Sequence, residues 1–324
     1  MSTSNAILKV KDLKKHFPKK EGIFNRTKNY VRAVDGVSFE INEEETFSLV
    51  GESGCGKSTT GRSILRLHEP TSGEILYSGK NILDYTKRDF RKVRKDLQMI
   101  FQDPYSSLNP RMTVKNLLLE PLLTHNICSK KEATERIIDI ADKVGLSKEQ
   151  INRHPHEFSG GQRQRIGIAR ALILKPKIVI LDEAVSALDV SIQAQILNLL
   201  IDLQKDLKLT YVFISHDLNV VKHVSDRVGV MYLGQMMEMA STASLYSNPL
   251  HPYTKSLLSA IPSIDPTDKR ERIILQGDVP DPSNPPSGCP FRLRCPNAYD
   301  HCAIEKPIYR EVESNHWVAC HLYN

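Results

Sequence analysis

Short apolar runs alternate with helix-period segments along most of this chain. Residues 5–17 and 37–50 read as strands joined by a basic, polar loop from Pro18 to Lys28. Thr46-Phe47-Ser48-Leu49-Val50 is an apolar strand that runs straight into a glycine-rich turn, and residues 57–68 then read as a helix. Residues 105–158 change period. Ile137, Ala141 and Val144 recur at helical spacing, with Gly145 as a stop, which predicts a helical insert. Helical pattern resumes at 161–174. A buried strand follows at Lys177 to Asp182, then a long helix over 192–207, and strands at Tyr211 to Ile214 and Val228 to Tyr232. Strands alternating with helices predict an α/β fold with a mostly parallel sheet and helices on its faces.

Beyond Asn248 the pattern changes again. Proline becomes frequent, as at Pro280, Pro282, Pro285, Pro286 and Pro290, and periodicity fades. This predicts a separate C-terminal appendage of irregular backbone, which needs a staple to hold its shape. No internal repeat is visible.

The 324 residues suffice for one large domain with a smaller appendage, or for two modest domains. With 40% apolar and 25% charged residues, the composition is that of an ordinary globular protein. No stretch approaches the ~18 apolar residues of a membrane-spanning helix. The densest run, Ile196 to Leu203, is cut by Asn198 and Asp202. Lys9, Lys11, Lys14 and Lys15 interrupt the start of the chain before a secretory segment can form. The expectation is a cytoplasmic protein that only a partner holds at a membrane. The net charge of +6 suits phosphate ligands, nucleic acid or anionic lipid, and equally a plain solvated surface. The basic stretch Lys87 to Lys95 reads as a surface helix without the interleaved aromatics of a nucleic-acid patch.

Gly51-Glu52-Ser53-Gly54-Cys55-Gly56-Lys57-Ser58 fits the G-x-x-x-x-G-K-[ST] phosphate loop and lies between a strand and a helix, as that motif requires. Its glycines let backbone N–H groups turn inward around phosphate oxygens, and the helix adds its positive end. Lys57 reaches the terminal phosphates and Ser58 can ligate Mg²⁺. Thr59 and Thr60 add phosphate contacts or cap the helix. Lys177-Ile178-Val179-Ile180-Leu181-Asp182-Glu183 is an apolar strand ending in two acids. Asp182 is placed to support the Mg²⁺ shell and Glu183 to polarise an attacking water as general base.

Phe158-Ser159-Gly160-Gly161-Gln162-Arg163 opens a helix, an anion-binding arrangement and equally a plain helix cap. Here the sequence resembles the ABC ATPase family. The resemblance spans residues 5–248 and implies a RecA-like cassette with an N-terminal antiparallel β region and a helical insert at about 103–165. Ser159, Gly160, Gly161 and Gln162 match the signature that faces the nucleotide of the other subunit in a head-to-tail dimer. Gln102 matches the Q-loop, which approaches Mg²⁺ and leads into the helical insert. Asp189 in Ser186-Ala187-Leu188-Asp189 matches the D-loop, and His216 the switch histidine. Phe17 stands near the place of the aromatic that stacks on adenine, with Tyr30 as competitor and a core role as the other reading. The resemblance implies nucleotide binding by Phe17, Gly51, Ser53, Gly54, Cys55, Gly56, Lys57, Ser58, Thr59, Gln102 and Asp182. It implies catalysis by Glu183, His216 and Lys57.

The finer resemblance is to the ATP-binding subunits of oligopeptide and dipeptide importers. It rests on Phe101 to Arg111, on Asn248 to Leu258, and on Gly288 to Pro296. Gly56 to Arg62 is similar to the F-type subunit of these systems. That implies a D-type ATPase partner, two transmembrane permease subunits, an extracytoplasmic substrate-binding protein, and a place on the cytoplasmic face of the membrane. No nucleic acid is expected. Nickel and glutathione importers share much of the pattern. The rival class is an ABC ATPase that acts on nucleic acid or ribosomes.

Residues 249–324 hold Cys289, Cys295, Cys302 and Cys320 at C-x₅-C-x₆-C-x₁₇-C spacing. This lacks the paired knuckles of structural zinc and the common ferredoxin spacings. The importer resemblance implies a [4Fe–4S] cluster on these four cysteines, stapling the appendage. Zn²⁺ is the alternative, with His301, His316 and His321 as substitute ligands.

Overall fold

The computed structural model describes residues 6–21, 26–262 and 272–323. In chain order, β1 (Ala6–Glu21) and β2 (Arg26–Asn42) come first, then β3 (Thr46–Val50), α1 (Lys57–Ile64), β4 (Ser72–Tyr77) and β5 (Lys80–Asn81). Next are α2 (Lys87–Arg94), β6 (Leu97–Ile100), α3 (Pro104–Ser107), α4 (Val114–Thr124), α5 (Lys130–Lys143) and α6 (Gly160–Leu172). They lead to β7 (Ile178–Asp182), α7 (Val190–Leu207), β8 (Thr210–Ile214), α8 (Leu218–Val224), β9 (Arg227–Tyr232) and β10 (Gln235–Ser241). The last elements are α9 (Thr242–Ser247), α10 (Pro252–Ser259), α11 (His301–Ile304), β11 (Arg310–Glu313) and β12 (His316–Val318). The chain forms two compact units. One takes the described residues up to 42, 46–83 and those from 214 on; the other takes 43–45 and 84–213.

The first unit holds an antiparallel sheet in the order β2-β1-β4-β5. Leu8, Val10, Leu13, Val37, Ile41 and Ile75 are buried along it. The polar loop expected at Pro18 to Lys28 is instead largely paired strand. Pro18 faces Tyr30 and Lys19 faces Asn29, so backbone pairing carries the ribbon past its apolar part. Residues 22–25 of that expectation lie outside the described residues. A second set of strands begins with β3, buried at all five positions, as suits a strand covered on both faces. It runs parallel to β9, with Phe47 opposite Arg227 and Val50 opposite Val230. β10 returns antiparallel on β9, β12 pairs with β10, and β11 with β12. Helix α1 is shorter than the 57–68 read from the sequence, and Arg66 beyond it takes a left-handed φ of 49°.

In the second unit β6 runs parallel to β7, from Leu97 opposite Ile178 to Ile100 opposite Leu181. Strands β7 and β8 are buried throughout. The basic segment forms α2, with Phe90 as its buried anchor and the Thr86 hydroxyl accepting the Asp89 N–H. Helix α5 starts on a capping box between Ser129 and Glu132, and Gly145 follows its end at φ 74°. Arg165 Nη1 donates to the Val144 carbonyl at 2.7 Å, tying that end to α6.

The C-terminal segment is more regular than its prolines suggest. Its last strand adds to β10, with Glu238 opposite Val318 and Met239 opposite Trp317. Glu238 anchors it from a fully buried position. Its carboxylate accepts the N–H groups of Leu250 (2.7 Å) and His251 (2.9 Å) and the His316 Nε2–H (2.7 Å). Phe291 adds an aromatic cluster with Tyr232 and Tyr253, at ring-centroid distances of 5.3 and 5.2 Å. Strand pairing, this polar cluster and the aromatic cluster tie it to the rest of the unit; among the described residues no group arranged as the expected metal staple is found.

Removing the Glu238 carboxylate would leave a buried imidazole and two buried N–H groups without their acceptor. Breaking a buried charged hydrogen-bond network costs about 3–5 kcal/mol. Glu238→Ala is therefore expected to lower the unfolding free energy by about that much in a denaturant titration. A loss below about 1 kcal/mol, the range of a surface pair, would show that the cluster does not hold the segment.

Candidate functional site

The phosphate-loop motif leaves β3 and enters α1 through a backbone that two glycines make possible. Gly51 has φ 146° and Gly56 φ 104°. A Cβ on Gly51 would meet the Met231 carbonyl oxygen at 2.2 Å, and one on Gly56 would meet the Ala33 oxygen at 2.1 Å. Both approaches are to backbone, which cannot swing aside. Gly56 is the N-cap of α1 and supplies no side-chain cap, which leaves the first-turn N–H groups to other acceptors. Lys57 is buried, and its Nζ donates to the carbonyls of Gly51 (2.8 Å) and Glu52 (3.0 Å). Ser53 and Gly54 are exposed; Ser58 and Thr59 are half-buried. Thr60 is buried, and its hydroxyl donates to the Gly56 carbonyl at 3.0 Å. Burial pushes the Cys55 thiol up against the opposing pull of Lys57, which is the setting of an inert packing residue.

The second unit gathers another set of expected residues. Asp182 is buried at the end of β7. Glu183 follows in a left-handed conformation, φ 48°, a backbone that costs a non-glycine residue about 1–3 kcal/mol and recurs at functional sites. Gln102 Nε2 donates to Glu183 Oε2 at 3.0 Å, and Ser186 Oγ donates to the Glu183 carbonyl at 3.0 Å. The Q-loop glutamine and the strand-end acid, 81 positions apart, thus meet.

The Ser159 segment forms a helix cap. Its hydroxyl accepts the Gln162 N–H at 3.4 Å, and Gln162 Oε1 accepts the Ser159 N–H at 3.1 Å. Gly161 sits against Ile192 of α7, so close that a Cβ would lie 2.5 Å from its Cγ2. Asp189 is the N-cap of α7 but makes no side-chain cap bond, and the adjacent Val190 is 83% exposed.

His216 is an exposed residue between β8 and α8, two positions past the end of β8. Phe17 lies in β1, half-buried, edge-on to His68 at 5.4 Å, with Lys15 Nζ 4.8 Å from its ring centroid. Tyr30, in β2 and 55% exposed, leaves the competition between the two open to solvent.

The four C-terminal cysteines line one cavity of about 10 Å³ together with His251, Phe291 and His321. Burial pushes the Cys289 thiol up to about 11 and raises those of Cys295 and Cys320. Four thiols fit the chemistry of an iron–sulfur or zinc centre. The geometry does not assemble one: among the described residues no group of three or more His, Cys, Asp or Glu side chains is arranged to hold a metal ion. The space is about that of a single water-sized sphere.

Sequence reasoning missed the residues that hold the loop from outside. Glu52 forms a bidentate ion pair with Arg294, and its N–H donates to the Tyr253 hydroxyl at 2.9 Å. Glu52 and Arg294 are 242 positions apart, and no local pattern links them.

Comparison with known proteins fits this geometry. The family model described as ABC transporter matches residues 34–186, and that described as the C-terminal region of oligopeptide/dipeptide transporters matches residues 237–302. The chain is 53% identical over 326 aligned residues to the oligopeptide transport ATP-binding protein AppF of Bacillus subtilis, covering 100% of this chain and 99% of that protein. Among solved structures, cbiO1 of Clostridium perfringens, part of the ABC transporter complex cbiONQ, is 28% identical with a TM-score of 0.64. That match covers 75% of this chain and 92% of cbiO1. The ATP-binding cassette MJ0796, solved as a dimer bound to ADP and Pi, is 29% identical with a TM-score of 0.63. It covers 72% of this chain and 98% of that one.

Proposed function

The chain belongs to the ABC transporter family of ATP-binding proteins, and we propose that it binds and hydrolyses ATP to energise an importer of short peptides. The observation that carries this reading is the full-length likeness to an oligopeptide transport ATP-binding protein, which extends through the C-terminal region as well as the cassette. Nickel and glutathione importers remain distinguishable by uptake, and a nucleic-acid or ribosome-acting ATPase by what stimulates turnover. Among the described residues no helix is long and apolar enough to cross a membrane. This reading includes separate permease subunits, as the importer likeness implies, and puts the chain on their cytoplasmic face. The likeness of Gly56 to Arg62 to F-type subunits supports a D-type ATPase as partner, with a substrate-binding protein delivering peptide to the permease.

The assigned roles are those the family resemblance implies, and each suits the chemistry of its residue. Loop N–H groups from Ser53 to Ser58 hold the phosphates, and Lys57 offsets charge on the terminal ones. Phe17 stacks on the base. Ser58, Gln102 and Asp182 supply the hard oxygen donors that Mg²⁺ takes, and the ion lowers the charge on the phosphates when bound. Water attacks the γ-phosphorus while the bond to the β–γ bridging oxygen breaks, giving ADP and phosphate. Glu183 takes the water's proton, and its bond from Gln102 supports that orientation. His216 donates to the γ-phosphoryl oxygens. Ser159, Gly160, Gly161 and Gln162 serve the partner's nucleotide, which Asp189 and the exposed Val190 adjoin across the interface.

The domain reading stays with this proposal: a cassette over 5–248, with its helical insert at about 103–165, and an extension over 249–324. It includes a metal centre on Cys289, Cys295, Cys302 and Cys320. Support comes from four thiols lining one cavity. Loading would require them to deprotonate and rearrange around the metal, with binding energy offsetting their burial.

In cells lacking only this gene, uptake of labelled peptides should fall and return with the wild type but not with Glu183→Gln. Purified Glu183→Gln should hydrolyse ATP about 10²–10⁴-fold more slowly while still binding it. Near-normal turnover would remove Glu183 from the role of base, and loss of nickel or glutathione uptake alone would overturn the substrate. Anaerobic purification should give a brown protein with about four irons and four sulfides per chain. A colourless protein with one zinc would replace the cluster by zinc, and a metal-free protein would remove the centre.

A further inference from the structure

Every polar group of Glu52, the second residue of the phosphate loop, is held. Arg294 Nη1 donates to Glu52 Oε2 at 2.6 Å and Nη2 to Oε1 at 3.0 Å, the bidentate fork that only arginine offers. The Arg294 side chain is 8% exposed and that of Glu52 27%. The Glu52 N–H donates to the hydroxyl of Tyr253, a fully buried residue, at 2.9 Å. The Glu52 carbonyl accepts Lys57 Nζ at 3.0 Å. The clamp is itself supported. Tyr253 lies against Tyr232 and Phe291, at 4.9 and 5.2 Å between ring centroids, and the Arg294 guanidinium is 5.9 Å from the Tyr232 ring. Phe291 and Arg294 both come from the segment between Cys289 and Cys295.

This arrangement fixes the peptide planes where the loop begins. The Glu52 N–H is committed to Tyr253, so the register in which later N–H groups turn inward is set from outside the cassette motifs. A loop without the clamp samples other conformations, and the apparent nucleotide affinity falls by the fraction of molecules that keep the binding shape. We propose that Arg294 and Tyr253 are positioning residues for nucleotide binding, through which the C-terminal cysteine segment holds the phosphate loop in its phosphate-accepting form. The proposal rests on the ATP-binding reading above. By linkage, bound nucleotide must then order the C-terminal segment by the same factor.

The test uses the full chain and measures MgATP affinity by calorimetry, turnover at saturating MgATP, and amide exchange of residues 289–296. Arg294→Ala is expected to weaken MgATP binding about 10-fold, with turnover at saturation within about twofold of wild type. Arg294→Lys, which keeps the charge but not the fork, should lie between the two. Adding Glu52→Gln to Arg294→Ala should cost little more, since both remove one interaction. MgATP should slow exchange in 289–296 of the wild type and not of Arg294→Ala. Should Arg294→Ala not fold, Tyr253→Phe carries the same comparison. Wild-type affinity in these variants, additive losses for the double variant, or exchange in 289–296 indifferent to MgATP would each overturn the clamp. A wild type that binds no MgATP would instead overturn the functional reading itself.

Discussion

The phosphate loop must pass within touching distance of two other backbones, and the rest of its unit is arranged around that close approach. At Gly51 the chain grazes the carbonyl of Met231 in β9, and at Gly56 that of Ala33 in β2. Any side chain at either position collides with backbone atoms of β9 or β2. The approach fixes β3 against β9 and brings the antiparallel strands to the loop. Glycines at these positions permit the inward-turned N–H groups that phosphate recognition requires. Strain is concentrated at the acid end as well, where Glu183 takes a left-handed conformation at the end of β7. Such backbone persists only where surrounding packing over-determines it, and the five buried positions of β7 provide that packing.

The C-terminal segment belongs to the same structural logic. It reaches the loop twice, through Tyr253 and Arg294, and is itself anchored on Glu238 in β10. A fully buried carboxylate with three donors is costly to break and specific in geometry. It fixes where α10 begins, since Leu250 and His251 lead directly into that helix. The relatives' C-terminal region is therefore no passive extension in this chain: its side chains complete the surroundings of the motif that defines the family.

What the sequence made legible follows from range. β3, β7 and β8 are continuous apolar runs and were readable as buried strands. The phosphate loop, the strand-end acids and the Ser159 segment are local motifs, and each sits at the strand or helix boundary expected of it. β10 was not read, because Glu238 interrupts its apolar pattern and its partners are up to 78 positions away. The ribbon beyond Pro18 looked like a loop because both of its faces are polar, and only cross-strand pairing reveals it. β11 and β12 are too short to show a period, and β12 pairs with β10, far away in sequence, while β11 pairs only with β12. The cysteine spacing was visible, and the four thiols line one cavity, but among the described residues they do not form a group arranged to hold a metal ion.

The most direct measurement is MgATP hydrolysis by the chain reassembled with its partner ATPase and permease subunits in liposomes, with and without peptide-loaded binding protein. The account predicts turnover that rises when peptide is delivered and does not respond to DNA or ribosomes. Turnover indifferent to peptide and stimulated by nucleic acid or ribosomes would contradict it.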